Sequence, residues 1–239
     1  MKLDILKGLN AERAVRRAAV VVTDVGSGNQ RLVKAGDIAK DPLRAVLAEH
    51  LRTGKSGMEE TPEGQVFLTV HVPAPQLVII GAVHISQALA PIGKLLDYDV
   101  TIVDPRTAFA TPERFPDVKV IAEWPDVALP PLNVDRYTAF VALTHDPKID
   151  DPGLLHALHR DCFYVGALGS RKTHARRLDR LKAQGIGDAD LARIAAPIGL
   201  DIGAVSPAEI AVAIMGQITE RLREEVDAPA ELAPVKAAS

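Results

Sequence analysis

Short apolar runs separated by amphipathic stretches organise residues 75–225. Leu77-Val78-Ile79-Ile80 is a continuous apolar run of strand length, and residues 84–96 carry helical spacing. Further strands are expected at 99–103, 118–121, 137–143 and 163–168, and helices at 152–160, 171–184 and 207–223. Apolar strands alternating with helices predict a parallel, doubly wound sheet. Residues 1–74 have another texture. A basic amphipathic stretch over 1–19 predicts a helix, followed by a strand at 19–23, turn chemistry at 24–29 and a returning strand at 30–33. A helix is expected at 42–53, a polar loop at 55–64 and a strand at 65–71. Pro73-Ala74-Pro75 is the candidate boundary. The expectation is an α/β protein: a small α+β domain at 1–74, a Rossmann-like doubly wound sheet at 75–225, and a disordered Ala/Pro-rich tail at 226–239.

Composition narrows the chemistry. The 239 residues include only 5 Phe, 3 Tyr and 1 Trp, so the core is aliphatic and platforms for stacking bases are few. A net charge of −3 leaves no electrostatic footprint for nucleic acid. No apolar run reaches membrane-spanning length, and the charged start at Met1-Lys2-Leu3-Asp4 is not a signal peptide, so a cytoplasmic protein is expected. A single cysteine, Cys162, excludes an internal disulfide framework and a multi-thiolate zinc site; at the start of an apolar strand it reads as core.

Five segments could carry chemistry. Gly81-Ala82-Val83-His84 follows a strand and opens a helix, where a dinucleotide fold places its glycine-rich turn. Only the first glycine is present; Val83 and Ser86 occupy the other two positions. Asp104-Pro105-Arg106 ends the next strand, where such folds place a ribose-reading acid, and Arg106 adds a bidentate cation. The lesser alternative is a turn stabilised by an Asp104–Arg106 pair. Thr144-His145-Asp146 closes the fourth strand, where open sheets bind ligands. Asp150-Asp151-Pro152 beyond it reads as a helix N-cap with proline in the first turn. Gly166-Ala167-Leu168-Gly169-Ser170-Arg171 runs a strand into a Ser-capped helix with cations at its positive end, a conflict that an anion would remove. His174, Arg176, Arg177 and Arg180 extend this as a solvated basic face. In the fifth segment Asp201 lies between Gly199 and Gly203, and Ser206-Pro207-Ala208-Glu209 is a capping box.

Together these segments resemble the XdhC/CoxI family. The resemblance runs over about residues 75–223, through Gly81 and His84, Gln87-Ala88-Leu89-Ala90, Val103-Asp104-Pro105-Arg106, Arg114-Phe115-Pro116, Thr144-His145-Asp146 with Asp150, 164–171 and 196–204. It implies a chaperone that binds molybdenum cofactor, as molybdopterin or its cytosine dinucleotide, and delivers it to a xanthine dehydrogenase or CO dehydrogenase. Cofactor-sulfurating or cytidylylating enzymes are further partners it suggests. On this reading no catalytic residue and no protein-held metal are expected. The cofactor-binding residues would be Gly81, Ala82, Val83, His84, Asp104, Arg106, Thr144, His145, Asp146, Gly166, Gly169, Ser170, Arg171 and Asp201. Two departures stand out. Family members commonly carry Gly-x-Gly-His where this chain has Gly81-Ala82-Val83-His84, and residues 1–74 contain no cysteine for handling the cofactor's sulfur.

The alternatives differ in class. An NAD(P)-dependent oxidoreductase would use the same fold, against two missing glycines and no visible catalytic relay. A metal-dependent hydrolase would gather His145, Asp146, Asp150 and Asp151. A pure adaptor would bind the dehydrogenase without cofactor. The short hairpin near Gly26 suggests a homodimer through a strand edge.

Overall fold

The computed structural model describes residues 1–224; the tail expected at 226–239 lies outside them. The described chain falls into two units, Met1–Pro73 and Ala74–Glu224.

The first unit contains α1 (Leu3–Ala14), β1 (Ala19–Asp24), β2 (Gln30–Lys34), α2 (Arg44–Thr53), β3 (Gly57–Thr61) and β4 (Gly64–His71). Its four strands form an antiparallel sheet in the order β2-β1-β4-β3. Alternate residues of β1 serve two cores: Val20 and Val22 pack with Leu47 of α2, while Ala19 and Val21 pack with Ile5 and Leu9 of α1. Two expectations change. The first helix ends at Ala14, because Arg16 turns to positive φ (52°) ahead of β1. The polar loop expected at 55–64 contains β3, an edge strand paired only with β4. Gly-Met-Glu-Glu-Thr offers no apolar alternation, because an edge strand need bury little.

The second unit is built on β5 (Gln76–Ile80), α3 (His84–Leu95), β6 (Asp99–Val103), β7 (Lys119–Ile121), α4 (Pro125–Ala128), β8 (Thr138–Ala142), α5 (Pro147–His159), β9 (Tyr164–Ala167), α6 (Arg171–Ala183), α7 (Asp188–Leu191), β10 (Ile194–Ala195) and α8 (Pro207–Glu224). All six strands are parallel, in the order β10-β9-β8-β5-β6-β7. The first strand of the sheet therefore lies in its middle, with the chain winding outward to one edge and then to the other. That is the doubly wound Rossmann order, whose switch point falls between β5 and β8.

Each face of this sheet is covered, which is why its strands read as unbroken apolar runs. Leu77, Ile79, Ala139 and Val141 face Leu89 of α3 and Ile214 and Ile218 of α8. Val78, Ile80, Phe140 and Ala142 face Ile149, Leu154 and Leu158 of α5 and Leu181 of α6. Gly166 of β9 is set by packing: a Cβ there would sit 2.6 Å from Ile198 Cδ1 and 2.7 Å from Tyr164 Oη. Among the described residues no helix is long and apolar enough to cross a membrane.

Phe140 is completely buried at the centre of the α5 face. Phe140→Ala is expected to cost about 3–5 kcal/mol in urea unfolding, since it removes a large side chain and leaves a cavity. A loss below about 1 kcal/mol would contradict its central place in this core.

Candidate functional site

Ligands bind doubly wound sheets outside the carboxyl ends of the strands, at the switch point. Here that crevice is bounded by the turns after β5 and β8. Gly81 follows β5 with φ of 111°, and a Cβ on it would lie 2.7 Å from Thr144 Cγ2 and 3.3 Å from the Thr144 nitrogen. The two turns are thus in contact, and only glycine permits it.

One buried carboxylate organises the β5 side. Asp104 accepts the Ala82 N–H at 2.7 Å and the Arg106 N–H at 2.9 Å. Arg106 also donates Nε–H to Oδ1 at 2.9 Å and Nη2–H to Oδ2 at 2.7 Å. Burial works against the charge on Asp104, but the Arg106 side chain and these backbone donors outweigh it and hold the carboxyl below its usual range. The Asp104–Arg106 turn is therefore self-paired, one of the two readings open from sequence.

Arg114 closes the same corner. Its Nη1 donates to the Ala82 carbonyl at 2.9 Å and to the Phe109 carbonyl at 2.8 Å. The Phe109 ring has Arg106 4.9 Å from its centroid and Arg114 at 5.6 Å, and it remains 46% exposed. Two guanidinium groups, both over a partly exposed aromatic ring, thus border the start of α3. That helix begins at Val83 with no side-chain cap, unlike α5 and α6. Val83 is extended and packs into the core, while His84 is exposed, its ring 3.2 Å from Gln87 Oε1.

A second buried carboxylate organises the β8 side. Asp150 accepts the Thr144 N–H (3.2 Å), the Thr144 hydroxyl (2.7 Å) and the His145 N–H (3.0 Å). These bonds hold His145 at φ 65°, an uncommon conformation for a side-chain-bearing residue. Burial dominates and pushes the Asp150 carboxyl up, despite these donors and the nearby Arg177. The capping expected of Asp150 and Asp151 is overturned. Helix α5 starts earlier, with Asp146 accepting from the Lys148 N–H at 2.9 Å and Pro147 in its first turn. Asp151 instead forms a bidentate pair with Arg180. The four residues of the hydrolase reading are thus engaged elsewhere or separated in burial, and no such cluster is placed to hold a metal among the described residues.

The turn after β9 behaves as expected at its cap: Ser170 accepts the Thr173 N–H at 3.2 Å, next to Gly169 at φ 138°, and Arg171 is exposed. The solvated basic face is corrected at Arg177, only 2% exposed, and holds only in part at half-buried His174 and at Arg180, half-buried and paired with Asp151. Asp201 stands apart, exposed on a loop whose Gly199 N–H donates to Gln217 Oε1 at 2.9 Å. Cys162 is buried, and burial pushes its thiol up to about 12. Sequence reasoning passed over Arg114 and Phe109 as site residues. Two Phe and two Arg within 106–115, in a chain so poor in aromatics, were the available signal.

The XdhC Rossmann domain family matches residues 77–218. Over 219 residues the chain is 28% identical to the uncharacterized protein YqeB of Escherichia coli, covering 88% of this chain and 40% of that one. It is 30% identical to a protein of Bacillus subtilis named as a probable xanthine dehydrogenase subunit, covering 62% of this chain and 43% of that one. It is 29% identical to the molybdenum cofactor insertion chaperone PaoD of Escherichia coli, covering 65% of this chain and 43% of that one. The chain thus spans less than half the length of these curated relatives. A crystal structure described as a xanthine dehydrogenase from Bacillus halodurans superposes with a TM-score of 0.66 at 20% identity, covering 96% of this chain and 66% of that one. That likeness extends to the fold.

The depressed carboxyl of Asp104 has a pH signature. An unfolded aspartate titrates near about 3.9, so the stabilisation is present above that value and is lost as pH falls through the lower folded-state value. Asp104→Asn is expected to cost about 1–2 kcal/mol at neutral pH, a figure discounted because Arg106 stays partly in water. The stability gap between wild type and variant should shrink from about pH 5 to about pH 2. Urea unfolding across that range measures it, and a constant gap would show that the carboxylate charge is not what matters.

Proposed function

The chain belongs to the XdhC Rossmann domain family, and from that premise we propose that it is an accessory protein that binds molybdenum cofactor and hands it to a molybdenum dehydrogenase of the xanthine or CO dehydrogenase type. The names of two relatives support this reading, one a molybdenum cofactor insertion chaperone and one a xanthine dehydrogenase subunit. The observation that carries it is the start of α3. An uncapped helix N-terminus at the switch point, with Arg106 and Arg114 both held around Ala82, suits a phosphate-bearing ligand.

The residues present fit such a group. In the turn Gly81-Ala82-Val83-His84 the N–H groups of Gly81 and Ala82 are donated to Val103 and Asp104, so the phosphate would be received at the Val83–His84 end, and Arg106 would add a charge-assisted contact. Asp104 is spent on Ala82 and Arg106, so its part would be to hold that guanidinium in place. Phe109 would contact the pterin with the exposed part of its ring, and Thr144, His145 and Asp146 would border it from the β8 side. Ser170 and Arg171 would meet its outer part. Gly166 and Gly169 would shape the neighbouring strand end, while Asp201, exposed on a loop that stands apart, would contact only a part of the ligand extending beyond the crevice. When bound, the pterin carries molybdenum for later use in the target enzyme. This chain's own work is to bind, orient and release. Burial pushes the Cys162 thiol up to about 12, so as placed it is a poor nucleophile for sulfur exchange. Sulfurating or cytidylylating enzymes would act before hand-over.

The test is anaerobic purification of the chain from a cofactor-producing host, followed by fluorescence assay of oxidised pterin. Wild type should retain pterin, and Arg106→Ala with Arg114→Ala should lower retention at least about tenfold, roughly the loss of one charge-assisted contact. Release of a cytosine nucleotide on hydrolysis identifies the dinucleotide form. Absence of pterin from wild type, with no binding by the apo chain, overturns the reading.

A further inference from the structure

Between α5 and α6 lies a cavity of about 150 Å³, about ten times the ~10–15 Å³ that one water needs. Its lining includes His145, Thr173, Arg176, Arg177 and Arg180, with Asp150 and Asp151. Arg177 is the unusual member. It is 98% buried, and Nη2 donates to the Leu168 carbonyl at 2.9 Å. Its Nε and Nη1 find no acceptor among the described residues. The nearest carboxylate oxygen, Asp150 Oδ2, is 3.9 Å from Nη2, beyond hydrogen-bond reach.

The charge balance around Arg177 is incomplete. Asp150 already accepts three donors from Thr144 and His145, and burial disfavours its ionised form. Asp151 is engaged at both oxygens by Arg180. Arg176 is exposed and has no ion pair among the described residues. A guanidinium stays protonated in proteins, so burying one with two idle donors is costly unless an anion meets it. The planar fork matches a tetrahedral oxyanion, and Arg176 and Thr173 stand beside it.

We infer that this cavity is a binding site for a phosphate group, either free or as the terminal phosphomonoester of a larger molecule, with Arg177 as its buried contact and Arg176 at its mouth. The inference rests on Thr173, Arg176 and Arg177, and the cavity shares only His145 with the border proposed for the ligand at the start of α3.

Calorimetric titration of the full chain with inorganic phosphate at low ionic strength tests it, with glycerol 3-phosphate as the second arm. Wild type should show a saturable site that persists in the chain carrying Arg106→Ala and Arg114→Ala, which removes the cationic contacts at the start of α3. Arg176→Ala, an exposed change, should weaken binding about tenfold, and Arg177→Met should abolish it. Arg177→Lys, which keeps the charge but loses the fork, should retain weakened binding and guards against a misfolded methionine variant. Comparable or tighter binding of the monoester marks the end of a larger ligand, and preference for inorganic phosphate marks a free oxyanion. No saturation by roughly 20 mM phosphate, or unchanged affinity in Arg176→Ala and Arg177→Lys, overturns the proposal.

Discussion

The carboxylate of Asp104, fully buried at the end of β6, ties the start of α3 to its neighbouring strand. It receives the Ala82 N–H, which a helix start would otherwise leave pointing toward solvent or ligand, and it fixes Arg106 against the same turn. Arg114 then grips the Ala82 carbonyl from the other side. One alanine is thereby held at both its backbone polar groups by charged side chains. The first turn of α3 keeps its remaining N–H groups without a side-chain cap, in a place where the surrounding charge is positive. Remove Asp104 and the turn loses both its buried acceptor and the anchor of Arg106.

Asp150 plays the corresponding part on the β8 side with opposite electrostatics. Asp104 has a guanidinium in direct contact, so its charge is favoured in the fold. Asp150 has only neutral donors in contact and a guanidinium at 3.9 Å, so burial wins. Both hold a strand-end turn through backbone N–H groups, yet one adds stability at neutral pH through its charge and the other is strained by it. The strain is shared with Arg177, whose guanidinium is buried with a single hydrogen bond. An underpaired guanidinium 3.9 Å from a carboxylate already taken up by three other donors is hard to explain by stability alone.

Much of this fold can be read from residues. The sheet of the second unit is legible because parallel strands covered on both faces must be apolar throughout, as Leu77-Val78-Ile79-Ile80 is. β3 is illegible for the opposite reason: paired on one side and exposed at alternate positions, it needs no apolar pattern. The start of α5 misleads because Asp146-Pro147 and Asp151-Pro152 carry the same cap-and-proline signature. Burial of Ile149 and Asp150 decides for the first, a matter of three-dimensional packing. Arg177 sits in a run of basic residues whose helix is mostly solvated, and its inward direction follows from the position of α5. Of the site, the turns were visible as motifs. Their linkage through Gly81–Thr144 and the clamp of Arg114 required the strands to be ordered first.

The substitution at the second glycine position gains meaning from this geometry. In a dinucleotide fold that glycine lets a pyrophosphate approach the backbone, and the acid after the second strand reads the ribose. Here Val83 turns its side chain into the core, and Asp104 is consumed by Ala82 and Arg106. The two features belong together: a chain that no longer presents its acid to a ribose has no need of the second glycine. What the same turn still offers is a helix start without a side-chain cap, two fixed cations and the partly exposed ring of Phe109. Under the function proposed above, that set would suit a ligand combining an anionic group with a flat ring better than the extended pose of a nicotinamide dinucleotide.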